Sequence, residues 1–269
     1  MPPTILSGPL MVLVAVLFLV GWKVGSQTQW RWFWAGAAIW TVGVALKFAC
    51  ALLLNTPVLA GLKSLLPHPG YVGLGALYIG LLTGIFEIGV TLAAGRKWPS
   101  LARDANRAVA VGVGAGAFEA ILLGFASLAG VLVAMSNLPG SEQMRQGLAA
   151  ATATTPFVWL AGWVERTIAI LCHTSSRTLV LFSVAKRRGA FFWYGFLLMT
   201  LLDGVAGFAY LSGAVTSISL WWIELAIAPF ALASVLIIGW CLRHWPSPTQ
   251  TGGEAHGDVL APSDACEDQ

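Results

Sequence analysis

The sequence predicts an all-α, polytopic membrane protein, a bundle of about seven transmembrane helices. Of its 269 residues, 57% are hydrophobic and only 10% are charged, whereas a soluble domain carries about 25% charged residues. The apolar residues form runs of about 20, the length that an α-helix needs to cross the hydrocarbon core of a bilayer. Tryptophans crowd the ends of these runs, as is typical of membrane interfaces.

Seven apolar runs have the required length. They cover residues 5–24, 34–54, 70–94, 108–132, 156–184, 190–211 and 219–242. We therefore expect one transmembrane helical domain over residues 1–242. The remaining segment, 243–269, is rich in Pro, Gly, Ser and acidic residues, which predicts a disordered tail.

Two connections are long enough to predict some character of their own. Residues 55–69 contain three prolines but are partly apolar, which predicts a short helix lying at the outer membrane surface. Residues 137–155 are polar and form the largest predicted non-cytoplasmic excursion.

The basic residues alternate between the two sides of this arrangement. Ten lie in connections on one side, whereas only Lys63 and Arg145 lie in connections on the other. Because Lys and Arg accumulate in cytoplasmic loops, the pattern predicts a multi-pass plasma (inner) membrane protein. Its N-terminus would lie outside and its C-terminus, with the tail, in the cytoplasm.

Ionisable residues interrupt four successive spans. They are Glu87 in the third span, Glu119 in the fourth, His173 in the fifth and Asp203 in the sixth. At 1.5 Å per residue, their positions fall within a slab about 10 Å thick in the inner half of the bilayer. Ionisable groups at membrane depth are costly, so they face a partner or a water-filled cavity.

The fifth span is the most polar of the seven. Arg166, Ile170, His173 and Arg177 share one helical face, and Glu165 lies one position around from it. A helix with such a face must turn it toward other helices.

Three interpretations of this buried polar cluster compete. The first is purely structural: Glu165 or Glu119 pairs with Arg166, and Asp203 pairs with Arg177 or His173. The second is a metal or acid/base site, since carboxylates and imidazole suit a divalent metal. The third is a polar pathway for a proton, an ion or a small solute.

Four stretches resemble the YhfC-like family of intramembrane metalloproteases, relatives of the CAAX-prenyl-protease type. They are TGIFEIGVT at 83–91, GVGAGAFEAILLG at 112–124, VERTIAILCH at 164–173 and LLMTLLDG at 197–204. The resemblance covers about 70–210. It implies a membrane-embedded protease fold, with a glutamate pair as base and histidines as metal ligands.

The sequence departs from the family pattern at key positions. Ile88 stands where the pattern has the second glutamate of the pair, Ala115 where it has a histidine, and Met199 where it has another. An arginine of the pattern is also replaced near Thr91. Only one intramembrane histidine remains, whereas catalytic zinc sites typically use three protein ligands.

The leading functional hypothesis is therefore a catalytically degenerate member of this fold. It would act as a binding or accessory subunit, holding another membrane protein or a lipidic ligand in the former active-site cavity. It would need no cofactor, and its partners would include the lipid bilayer but no nucleic acid.

Three alternatives stay open. In an active metal-dependent protease with a reduced site, Glu87 would be the base, and His173 with Glu119 or Asp203 would hold zinc. The chain could instead be a structural subunit of a larger membrane complex. A transporter is the fourth hypothesis, although the sequence lacks paired broken helices in two halves.

Overall fold

The computed structural model describes residues 3–136 and 138–246. These residues form ten α-helices and no strand. The helices are α1 (Ser7–Ser26), α2 (Trp30–Leu65), α3 (His68–Thr83), α4 (Gly89–Lys97), α5 (Ala105–Met135), α6 (Ser141–Thr154), α7 (Val158–Lys186), α8 (Ala190–Leu211), α9 (Ala214–Ser217) and α10 (Leu220–His244). A π-helical turn, Gly84–Ile88, joins α3 to α4.

Seven helices in the described residues are long and apolar enough to cross a membrane. They are α1, α2, the continuous segment from α3 to α4, α5, α7, α8 and α10, which confirms the predicted all-α bundle. The predicted sixth span coincides with α8, and most other bounds differ from the predicted ones by a few residues.

Helix α7 forms the centre of the bundle. In its most apolar stretch, 83% of the residues are buried, whereas no other span exceeds 44%. It packs against α1, α5, α8 and α10. The polar helical face predicted for the fifth span therefore turns inward, and His173 and Arg177 are almost completely buried.

The predicted interfacial helix at 55–69 is wrong. Helix α2 continues through Pro57 and ends only at Leu65. A proline removes one backbone hydrogen bond from a helix, but the residues after it form a helix readily, so the helix continues. The polar connection at 137–155 likewise contains a regular helix, α6, which is mostly exposed.

Glycines allow α5 to approach its neighbours closely. A Cβ atom at Gly112 would lie 2.5 Å from the Cα of Thr174, and one at Gly116 would lie 2.8 Å from the Cα of Ile170. Small residues at this spacing let transmembrane helices pack backbone to backbone. They hold α5 against the polar face of α7.

Contacts between helix ends define one end of the bundle. Trp22 at the end of α1 donates to the carbonyl of Asn106 at the start of α5, at 3.1 Å. At the ends of α7 and α10, the rings of Phe182 and Trp245 lie 5.3 Å apart. We call this the basic end, because the connections with ten of the basic residues lie here.

Candidate functional site

The buried ionisable side chains form one continuous chain of contacts through the bundle. In spatial order they are Asp203, Lys47, Glu87, Arg177, His173, Glu119, Arg166 and Glu165. They come from α2, the π-turn, α5, α7 and α8. The sequence predicted that the polar groups of the third to sixth spans would gather, and the structure brings them together.

Glu87 lies between Lys47 and Arg177 in this series of contacts. Its side chain is 3% exposed, and its Oε1 atom lies 2.6 Å from the Nζ of Lys47. Its Oε2 atom accepts from the Nη2 of Arg177 at 3.2 Å. Both carboxylate oxygens are therefore held by cations from other helices.

A π-helical turn places Glu87 in this position. The backbone N–H of Gly89 donates to the carbonyl of Gly84, five residues earlier. Such turns are rare and frequently occur at functional sites. Thr91 stands near where the family pattern has an arginine, and its hydroxyl donates to the backbone carbonyl of Glu87 at 2.8 Å.

His173 connects Arg177 to Glu119 through its two ring nitrogens. Its Nδ1 lies 2.6 Å from the Nη1 of Arg177. Because a guanidinium group only donates hydrogen bonds, Nδ1 must be the acceptor. The other nitrogen, Nε2, lies 2.6 Å from the Oε2 of Glu119 and donates its proton there.

Arg166 contacts the two carboxylates at the other end of this series, Glu119 and Glu165. Its Nη1 donates to the Oε1 of Glu119 at 2.7 Å, and its guanidinium group also contacts the carboxylate of its neighbour Glu165. Both pairings that the sequence suggested for Arg166 are therefore present.

The predicted pairing of Asp203 with Arg177 or His173 is wrong. Asp203 accepts from the hydroxyl of Thr83 and lies 3.7 Å from the Nζ of Lys47. The partner of Arg177 is instead Glu87. Helical periodicity predicts which face a residue occupies, but the π-turn and α2 decide which charges meet there.

Sequence reasoning missed Lys47 and misassigned Glu224. Lys47 is the only basic residue within the apolar part of the second span, so the high cost of membrane-embedded charge could have identified it. Glu224 lies near the start of the seventh predicted span, a position that predicts a solvated interfacial carboxylate, but it is only 8% exposed. Its Oε2 atom is buried without a hydrogen-bond partner among the described residues.

A cavity of about 100 Å³ opens beside Glu119, Glu165 and Arg166, between α5, α7, α8 and α10. At about 30 Å³ per molecule, it has room for roughly three waters. Glu87, the predicted base, does not line it. The polar residues that line it are Glu119, Glu165, Arg166, His173, Asp203 and Glu224.

Comparison with known protein families identifies the chain. The model of the YhfC intramembrane metalloprotease family matches residues 10–226, about four-fifths of the sequence. The protein belongs to this family. The match is longer than the resemblance at 70–210 and includes both Lys47 and Glu224. A search of curated proteins and a search of solved structures each found no match.

The YhfC family is a metalloprotease family, but the side chains of this member do not fit a metal ion. Within 3–136 and 138–246, no group of three or more His, Cys, Asp and Glu side chains is arranged to hold one. Both nitrogens of His173 are engaged, by Arg177 and by Glu119. Asp203 lies at the same cavity but bonds to Lys47 and Thr83.

Apolar packing occupies the positions where the YhfC-like pattern has ligands and base. Ile88 and Ala115 are fully buried, and Met199 is 1% exposed. Ile88 and Met199 belong to one hydrophobic cluster, which also contains Ile168 and Cys172. The side chains at these three positions are apolar and buried.

Proposed function

We propose that this protein is a non-proteolytic member of the YhfC family, which acts as a binding or accessory subunit in the membrane. One observation carries the proposal: basic side chains of this protein pair with the carboxylates that a metalloprotease would use as base or metal ligand. Lys47 and Arg177 hold Glu87, and Arg166 holds Glu119. A metal would have to displace these buried pairs.

The position of Glu87 supports the same conclusion. A general base must reach a water molecule beside the bound substrate. Glu87 does not line the cavity, and each of its oxygens already contacts a cation, so it is not placed to take a proton from a water in the cavity. Its role here is to join α2, the π-turn and α7.

The cavity is the feature that we propose to bind a partner. It keeps polar groups in the interior of a membrane protein, where they are costly unless they have a use. Its volume, about 100 Å³, admits a single side chain or the polar end of a lipidic ligand. It does not admit an extended peptide.

Metal binding by the purified protein is the direct test. We expect that metal analysis after equilibration with zinc will find well under one ion per chain. The His173→Gln variant is the matched control, because an amide can still accept from Arg177 and donate to Glu119. Equally low metal content in both proteins supports the proposal. Stoichiometric zinc in the wild type contradicts it, and its loss in the variant would assign that zinc to His173.

Site-specific photo-crosslinking in membranes tests the binding role. A photoreactive residue at Ala206 or Ile223, which line the cavity, should give a discrete adduct with a protein or a lipid. The control position is Leu52, whose residue is 83% exposed on the surface of α2. Adducts that do not differ between these positions would remove the support for a binding cavity.

An active protease with a reduced site is the alternative that a specific observation favours. Glu87 lies in a π-turn, a feature frequent at functional sites, and His173 contacts Glu119. In that case, the wild-type chain would cleave a membrane substrate in a zinc-dependent manner, and His173→Gln would stop the cleavage.

We infer the membrane orientation from the basic end. By the positive-inside rule, this end faces the cytoplasm of a plasma (inner) membrane, and the N-terminus lies outside. Reporter fusions after Lys63 and after Arg188 test this orientation. The first should report an external location and the second a cytoplasmic one.

A further inference from the structure

A second cavity, of about 600 Å³, lies at the basic end between α4, the α7–α8 turn and the first turns of α8. Its polar wall is formed by Arg96, Arg187 and Arg188, and its apolar wall includes Leu92, Phe192 and Trp193. We call it the arginine pocket. None of the buried carboxylates described above lines it, and it does not depend on the function proposed above.

Positive charge is concentrated in the arginine pocket. No carboxylate among residues 3–136 and 138–246 lines it. In the described part of the chain, none of its three arginines lies within 4.0 Å of an acidic group. By contrast, Arg107 on the same end pairs with Asp104 at 2.8 Å. Three guanidinium groups with no carboxylate partner among the described residues fit an anion with several oxygen acceptors, such as a phosphate.

The local backbone gathers these arginines. Arg187 ends α7 in a left-handed conformation, with φ of 54°, which is uncommon for a residue other than glycine. The chain reverses there, and α8 begins at Ala190, so the first turn of α8 lies beside the pocket. The positive end of that helix dipole adds to the charge of the arginines.

The apolar wall indicates that the anion belongs to a lipid. Trp193 is 56% exposed, at the end of a membrane-spanning helix where tryptophans meet the headgroup region. The pocket therefore has a polar side at the level of the lipid phosphates and an apolar side that continues along α8 into the bilayer. A soluble phosphate would use only the first of these.

We propose that the arginine pocket binds an anionic glycerophospholipid, with its phosphate on Arg96, Arg187 and Arg188 and an acyl chain along Leu92 and Trp193. Basic pockets between transmembrane helices recognise such headgroups. The bound lipid would hold α4 and α8 together at the basic end.

Native mass spectrometry of the purified full chain in detergent tests this proposal. Dioleoylphosphatidylglycerol is the anionic probe, and dioleoylphosphatidylcholine, with the same acyl chains and no net charge, is the comparison. The test variant is Arg96→Gln/Arg187→Asn/Arg188→Gln, in which asparagine suits the left-handed position. The control variant, Lys97→Gln/Arg103→Gln/Lys186→Gln, removes the same number of charges from the same end but none from the pocket wall.

We expect the wild type and the control to retain phosphatidylglycerol in preference to phosphatidylcholine, and the test variant to bind it more weakly by roughly tenfold or more. The charge-preserving variant Arg96→Lys/Arg187→Lys/Arg188→Lys should recover part of the affinity, which separates charge loss from misfolding. Equal loss in the control and test variants would overturn the proposal. So would equal retention of the two lipids by the wild type, or displacement of phosphatidylglycerol by glycerol phosphate at a similar concentration.

Discussion

Two groups of buried charges lie along α7 and differ in their balance. The Glu87 cluster, which consists of Lys47, Glu87, Arg177 and Asp203, has two cationic side chains for two carboxyl groups. The Arg166 cluster, which consists of Glu119, Glu165, Arg166 and Glu224, has one cationic side chain for three carboxyl groups. His173 joins the two clusters by contacting Arg177 and Glu119.

The difference separates a structural role from a binding role. Charges that are buried and matched hold helices in register and have no need of a ligand. An excess of carboxyl groups beside a cavity leaves acceptors for an outside group, and the Oε2 of Glu224 is one of them. We therefore expect substitutions in the Glu87 cluster to act mainly on stability and those in the Arg166 cluster mainly on binding.

The largest effect should come from Glu87→Gln. This change leaves Arg177 without its carboxylate partner in the interior and leaves Lys47 with only Asp203, at 3.7 Å, so it should lower the free energy of unfolding by about 3–5 kcal/mol. Thermal or denaturant unfolding in detergent measures it. The same change at Glu165, whose side chain is 33% exposed and whose partner is the next residue, should cost less than about 1 kcal/mol. Equal losses would erase the distinction between the clusters.

Lys47→Met should have an intermediate effect. It removes the cation that links α2 to both Glu87 and Asp203, but Arg177 still compensates Glu87, so the loss should be about 1–3 kcal/mol. A double-mutant cycle with Asp203→Asn measures how much of this belongs to the pair. A coupling energy near zero would show that the 3.7 Å approach of Lys47 and Asp203 contributes nothing.

Gly116→Ala tests how the two clusters are connected. The added methyl group would lie 3.0 Å from the Cβ of His173, so α7 must shift and the contact between His173 and Glu119 should weaken. We expect a loss of about 1–3 kcal/mol. Gly130→Ala on the same helix meets nothing within 4 Å and should be neutral or slightly stabilising in the same unfolding assay.

The smallest effect, and one of opposite sign, should come from Glu224→Gln. An amide costs less to bury than an unpaired carboxylate, so the free energy of unfolding should rise by up to about 1 kcal/mol. The unfolding free energies of Glu224→Gln and Glu87→Gln, measured side by side, show whether the same substitution stabilises one cluster and destabilises the other. Marked destabilisation would mean that Glu224 has a partner after all.

Hydropathy and charge alternation were sufficient to predict the seven membrane-spanning helices, because each run is long, apolar and flanked by interfacial residues. The full length of α2 was not predictable in this way, since a hydropathy pattern locates the apolar segment and does not show that a helix continues beyond Pro57. The central position of α7 followed from its polar face, which has to be buried.

The site was predictable as a set of residues but not as a set of pairs. Glu119, Arg166 and His173 were expected in one buried cluster, and Glu119 contacts both of the others. The partner of Asp203 is Lys47, which lies on a helix far away in the sequence, and no periodicity within one span can indicate it. The burial of Glu224 depends on how α10 packs against α7 and α8, which its distance from the end of the span does not determine.

The π-turn at Gly84–Ile88 has a genetic consequence. Such a turn accommodates one more residue than the α-helix around it, and each residue in an α-helix corresponds to a rotation of about 100°. Because the turn absorbs that residue, loss of a single codon within it would restore a regular helix without rotating α4 relative to α3, whereas insertion of a codon would rotate α4 by that angle. Either change would remove the local geometry that directs the carboxylate of Glu87 to both Lys47 and Arg177, so this short segment should tolerate substitution at its exposed position Ile85 far better than any change in its length.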